Sequence, residues 1–196
     1  MTCSPEKSAY IHVRPKYTRA DRSPELQLIL AGKTIRRVAQ LRILGMHVQE
    51  TASTAHTLAN LKRTVRGITS LLGRIARSRE GMREADTLRL VHAFVVSRIT
   101  YALPYQVTRR TDMEQADRLL RIACKAALGL PQNASTTALS QLGMLNTYEE
   151  YATATLLAQR ERLNTTPQGR AILTKLGFPL SPQYSGDSTE LTPPSV

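Results

Sequence analysis

Six apolar residues, Leu58, Leu61, Val65, Ile68, Leu72 and Ile75, follow one another in unbroken steps of three and four. Only an α-helix gathers such positions on one side, because each turn takes about 3.6 residues. The spacing predicts a helix over residues 53–78, capped by Thr51 or Ser53 and ended before Gly81. Its apolar stripe covers roughly 100° of the helical wheel. From Ala52 to Arg79 there is no Asp or Glu, while Lys62, Arg63, Arg66, Arg74 and Arg77 fall off the stripe. Arg79 and Arg83 continue the charge past the helix end. Thr69, Ser70 and Gly73, lying among the cations, are small enough to let a phosphate backbone approach. Like charges on one helix repel unless an anion joins them. The face is open to two readings, an ordinary solvated surface or a phosphate-binding row.

Helical periodicity continues downstream. Leu88, Val91, Val95 and Ile99 predict a helix over 83–102, stopped by Pro104. Thr111 with Glu114 three residues later reads as a capping box. It opens a helix carrying Met113, Ala116, Leu119, Leu120, Ala123, Ala127 and Leu128, closed by Gly129-Leu130-Pro131. Shorter helices are predicted over 135–142, over 148–163 with Thr147 as cap, and over 166–176. The first 50 residues differ. Ala9, Ile11 and Val13 alternate with polar neighbours, as do Leu26, Leu28 and Leu30. Ala31-Gly32-Lys33 is turn chemistry before a β-branched return over 34–38. Residues 41–48 form another extended run in which Gly45 marks a bulge or a close approach by another backbone. Residues 16–23, between Pro15 and Pro24, read as a loop. The expected class is α+β, mostly helical: short antiparallel strands over about 8–49, a helical bundle over about 53–176, and a disordered tail over 181–196. Aromatic residues are 5% with no Trp, which argues against an aromatic-rich sandwich or barrel.

Lys and Arg number 27 against 15 Asp and Glu, a formal charge of +12, and most of the cations are Arg. Such a balance favours polyanionic partners, nucleic acid before anionic membrane. No purely apolar run exceeds four residues, far below the roughly 20 that a membrane helix needs. Residues 1–16 hold no apolar core of a secretory signal. Cys3 and Cys124 make no disulfide framework, and an intracellular setting, cytoplasmic or nuclear, is expected. The catalytic inventory is poor. There is no glycine-rich phosphate loop, no paired-cysteine motif and no nucleophile elbow. His12, His47, His56 and His92 are scattered without helical metal-site spacing. Asp21, Asp86, Asp112, Asp117 and Asp187 include no adjacent pair, which two-metal phosphoryl transfer requires. Glu149-Glu150 reads as a solvated helix start. Tyr101, Pro104 and Tyr105 read as aromatic packing at a helix end, with base stacking as the alternative.

The order of the pieces resembles the reverse transcriptases of non-LTR, LINE-type retrotransposons. Pro5-Glu6-Lys7-Ser8 followed by Tyr10-Ile11-His12-Val13 is similar to the lysine-bearing motif D of that family. Leu28-Ile29-Leu30-Ala31-Gly32-Lys33-Thr34-Ile35 is similar to the hairpin that follows it. Leu41-Arg42-Ile43-Leu44-Gly45-Met46 resembles the primer-grip motif E. A long basic helix, a helix with Ile99-Thr100-Tyr101-Ala102, a helix ending Arg121-Ile122-Ala123-Cys124-Lys125-Ala126-Ala127-Leu128-Gly129-Leu130-Pro131, and residues 136–143 complete the likeness, which covers about 4–160. Ser4 departs from the family's frequent Asn, and the loop over 14–24 is long.

The resemblance implies that residues 1–50 are the last part of a palm, 51–131 a thumb, 132–180 connection helices and 181–196 a tail. It implies a non-catalytic piece, because the paired aspartates of the family's fingers and palm have no counterpart here. The template–primer duplex of RNA or DNA is the implied partner, with no membrane. Lys62, Arg63, Arg66, Arg74 and Arg77 would contact phosphates. Leu44, Gly45 and Met46 would belong to the primer grip. Lys7 would be the motif D lysine, with no reaction to assist. Magnesium belongs to the intact family, and no metal or cofactor is expected for this chain alone. Two other functions stay open: a co-opted helical nucleic-acid-binding protein, and a helical protein-interaction module.

Overall fold

The computed structural model describes residues 4–13, 26–76, 81–141, 143 and 145–180. The predicted loop over 16–23, the tail over 181–196 expected to be disordered, Cys3, and Arg77 and Arg79 of the basic row lie outside the described residues. The chain is an α+β protein in which helices dominate. It divides into two compact units, residues 1–153 and 154–196.

The helices of the first unit are α1 (Ala55–Ala76), α2 (Glu84–Val91), a π-helical turn (His92–Val96), α3 (Ser97–Ala102), α4 (Arg110–Ala127), α5 (Thr136–Gln141) and the start of α6 (Tyr148–Asn164). The predicted stripe of α1 is the core. Leu58, Leu61, Val65 and Leu72 are buried, Ile68 packs against them, and only Ile75, near the helix end, is exposed. They meet Val91, Val95 and Ile99 of the second helix and Ala116, Leu119, Leu120 and Ala123 of α4 in one cluster. Burying each such side chain contributes about 1.5–3 kcal/mol.

α1 and α4 run in the same direction. At their starts the Thr54 hydroxyl donates to Asp112 Oδ2 at 2.7 Å, and near their ends Gly73 and Ala126 line one groove. The run from α2 through α3 returns antiparallel and packs against both. Buried Thr87 donates its hydroxyl toward the Ala127 carbonyl, 3.0 Å away at the end of α4. The predicted helix over 83–102 is thus present, but with a π-helical turn that its side-chain spacing does not announce.

The predicted capping box at Thr111 and Glu114 gives way to another. α4 begins at Arg110, and Asp112 Oδ2 accepts the Arg109 N–H at 2.9 Å. The same oxygen takes the Thr54 hydroxyl, so the cap is selected by a tertiary partner rather than by local sequence. At α6 the expected Thr147 cap holds. Thr147 Oγ1 accepts the Glu150 N–H at 3.3 Å and Glu150 Oε2 accepts the Thr147 N–H at 2.7 Å. Glu150 is therefore half of a reciprocal cap.

The strands are shorter than expected and form no common sheet. β1 (Ala9–Tyr10) pairs with β4 (Arg36–Arg37), β2 (Ile29–Leu30) with β3 (Lys33–Thr34), and β5 (Gln40–Ile43) with β6 (Met46–Gln49). The expectation of antiparallel strands throughout is corrected at one pair, because β1 and β4 are parallel, with Ala9 opposite Arg36. The intervening segment brings the chain back to β1 in the same direction, which a tight hairpin cannot do. Residues 41–48 are not one interrupted strand. Ile43 faces Met46, and Leu44 and Gly45 form a two-residue hairpin turn with φ of 48° and 87°.

The second unit holds the rest of α6 and α7 (Pro167–Lys175), which Thr166 caps by accepting the Gly169 N–H at 3.1 Å.

Candidate nucleic-acid interface

The arc of α1 next to its buried stripe carries Lys62 and Arg66, one turn apart, with Arg74 two turns beyond. All three side chains are exposed, as is Arg63, which lies further round toward solvent. Parallel packing sets α4 along this arc. Arg118, Arg121 and Lys125 recur there at steps of three and four, on the side of α4 away from its core residues. Lys62, Arg66, Arg118 and Ile122 line a groove of about 420 Å³ between the two helices. Arg66 and Ile122 also line a second groove, of about 640 Å³, with Arg74, Thr69, Ser70 and Gly73. Through these shared residues the grooves form one trough along both helices. Its lower half is walled by the small residues singled out in the sequence. Arg121 and Lys125 line a smaller recess, of about 280 Å³, beside it.

Ion pairs among the described residues join Lys33 to Glu6, Arg37 to Glu50, Arg89 to Asp86 and Arg110 to Glu114. None of these neutralises a cation of the trough. Lys125 differs from its neighbours: its side chain is buried and its ammonium donates to the Gln132 carbonyl at 2.8 Å. It holds the turn after α4 in place. The contribution of Arg118 and Arg121 was not legible as a site. α4 also carries Asp112, Glu114 and Asp117, so its cations look like part of a mixed surface until the acidic residues are seen to be used elsewhere.

The remaining site residues are spread apart. Leu44 is exposed at the tip of the β5–β6 hairpin, and Met46 is half-buried behind it. The Tyr101 hydroxyl donates to the Leu44 carbonyl, which fixes the hairpin tip to the end of α3. Gly45 lies under the same ring, with Tyr101 Cε1 3.6 Å from where a Cβ would stand. Lys7 is exposed at the end of a short 3₁₀ turn, Pro5–Lys7.

Each described aspartate has a local task. Asp86 pairs with Arg89 at 3.0 Å. Asp112 caps α4. Asp117 Oδ1 accepts the Tyr148 N–H at 2.6 Å and anchors the start of α6. Among the described residues no three of His, Cys, Asp and Glu come together. His47 and His56 do meet, their ring centroids 4.5 Å apart. Gln40 Nε2 lies 2.9 Å from His47 Nδ1 and 3.2 Å from His56 Nδ1. Burial, then His56 and Arg42, push the His47 pKa below its ordinary value. Burial raises that of the Cys124 thiol against the pull of Lys125, which disfavours the reactive thiolate. No described helix is long and apolar enough to cross a membrane. Comparison with protein-family models, with curated proteins and with solved structures finds no match.

Proposed function

We propose that the chain is a non-catalytic, thumb-like part of a LINE-type reverse transcriptase, and that the trough between α1 and α4 holds the phosphate backbone of a nucleic-acid duplex. The observation that carries the reading is the double row of cations. Lys62, Arg66 and Arg74 from one helix and Arg118 from the other flank one trough. A rod of phosphates meets such a row without any base being read. The order of elements supports the family part of the proposal. A lysine-bearing segment, the hairpin over 28–35, the Leu-Gly segment, a long basic helix, a helix carrying Tyr101 and then α4 come in the order that the resemblance implies, although the Leu-Gly segment is a hairpin turn where the resemblance has a strand. The capping and pairing tasks of Asp86, Asp112 and Asp117 support the non-catalytic part.

A salt titration of duplex binding tests the role of the trough. With four or five phosphates neutralised, the log–log slope is expected near −4, at about 0.9 per phosphate. Replacing Arg66, Arg74 and Arg118 together by Gln is expected to flatten it by roughly two to three units while the helical circular dichroism is kept. A slope that the triple variant leaves unchanged returns the face to solvated surface. Tighter binding of an RNA–DNA hybrid than of B-form DNA supports the reverse-transcriptase reading, and no preference favours a general helical nucleic-acid binder.

A further inference from the structure

A separate groove, of about 510 Å³, lies on the other side of α1. Its walls come from the β5–β6 hairpin, from the first turns of α1, and from the π-helical turn with α3. Four features set it apart from ordinary surface. Phe94, one of only two phenylalanines in the chain, stands half-exposed on its wall although its neighbours Val95 and Val96 are buried. Tyr101 presents a second half-exposed ring, held in orientation by its hydroxyl bond to the hairpin tip. Arg42 from the hairpin and Arg98 from α3 line the same groove, both exposed. Phe94 sits on the π-helical turn itself, a rare conformation that is frequently found at functional sites.

Two half-exposed aromatic rings and two guanidinium groups around one groove suit a nucleotide. The rings offer stacking surfaces for any base, and the cations neutralise the phosphate attached to it. Asn60 and Ser97 also line the groove; the Ser97 hydroxyl donates to the Ala93 carbonyl and the Asn60 amide nitrogen lies 3.1 Å from His56 Nδ1, which leaves their oxygens as acceptors for a sugar or a base edge. Paired bases inside a duplex cannot use this site, because their faces are already stacked. We propose that the groove binds an unpaired nucleotide of single-stranded nucleic acid, its base against Phe94 or Tyr101 and its phosphate between Arg42 and Arg98. The proposal rests on the nucleic-acid reading of the α1–α4 trough for its class of partner, and on separate residues for its geometry. The trough and the groove flank α1, so a duplex with a single-stranded extension engages both.

Three labelled probes test it: a blunt duplex, the same duplex with a single-stranded overhang, and an oligodeoxyadenylate strand. The overhang is expected to bind about tenfold more tightly than the blunt duplex, the worth of roughly one stacked base. Phe94→Ala is expected to remove that advantage and to leave blunt-duplex affinity unchanged. The chain has no Trp, so Phe94→Trp places a single indole fluorophore in the groove. Its emission is expected to be quenched by the strand and by the overhang, and not by the blunt duplex. Equal affinity for blunt and overhanging duplexes, no quenching by the strand, or equal quenching by an acidic peptide overturns the proposal. Quenching by the strand without any blunt-duplex binding sustains it and instead removes the duplex reading of the trough.

Discussion

Leu44 carries the least expected backbone conformation of the first unit. A leucine at φ 48° is held in the left-handed region, which costs a residue with a Cβ about 1–2 kcal/mol. Its side chain is 81% exposed, so no apolar burial compensates. What holds the turn is its surroundings: Gly45 takes the second left-handed position, and Tyr101 ties down the Leu44 carbonyl. Asn tolerates this conformation and is common at the first position of such hairpin turns. Leu44→Asn is therefore expected to raise stability by about 0.5–1 kcal/mol, read as an upward shift of the urea midpoint. A decrease would mean that the exposed leucine makes a contact of its own. Gly169 is fixed for a different reason. A Cβ there would stand 2.1 Å from the Leu163 carbonyl oxygen, so that position is closed to any side chain.

At the scale of elements, the junction between the β5–β6 hairpin and α1 is where charge and packing meet. Gln106 donates to the His47 carbonyl at 3.0 Å and lies 3.2 Å from the Thr57 hydroxyl, linking hairpin to helix. The His47 and His56 rings close the same junction, with Gln40 donating to His47 Nδ1. Because the folded pKa of His47 lies below the ordinary 6.5, the unfolded chain binds the proton more tightly. Stability then falls as the pH drops through 6.5 toward the lowered folded value. Urea midpoints on the two sides of pH 6.5 are expected to differ, with the acid one lower. His47→Gln, which cannot be protonated, is expected to reduce that difference. An equal acid loss in the variant would move the sensitivity to another group. Neutral His47 accepts from Gln40, and protonation of Nδ1 would remove the acceptor as well as place a positive charge near Arg42.

Across the first unit, stability is unevenly shared. The helical core joins α1, α2, α3 and α4 through one cluster of buried residues. The strands form three separate two-stranded pairs, and Leu26, Leu28, Ile29 and Ile43 remain exposed among them. A pair of strands alone is marginal in water, because each edge leaves backbone groups unpaired and little apolar area is removed. Hydrogen exchange is expected to protect Val65 and Leu120 the longest and to release the β2–β3 and β1–β4 amides first. Strand amides that outlast those of α1 and α4 would contradict this division.

Much of the helical architecture was legible because local chemistry decides it. The stripe from Leu58 to Leu72, the Thr147 cap and the Gly129-Leu130-Pro131 stop after α4 act within a turn or two of themselves. Sequence alone also assigned Lys62, Arg66 and Arg74 to one exposed arc, since helix geometry follows from spacing. It did not reveal that Asp112, rather than Thr111, caps α4, because the deciding partner, Thr54, is distant in sequence. It did not reveal the Leu44-Gly45 turn, because leucine is a poor signal for a left-handed residue that only tertiary contacts hold. Nor did it show Arg118 beside Arg66 or Phe94 beside Tyr101. Those meetings depend on α4 running parallel to α1 and on the packing of the segment that carries Phe94 and Tyr101, and the direction and phase of packed helices are set by the shared core, not by either helix alone.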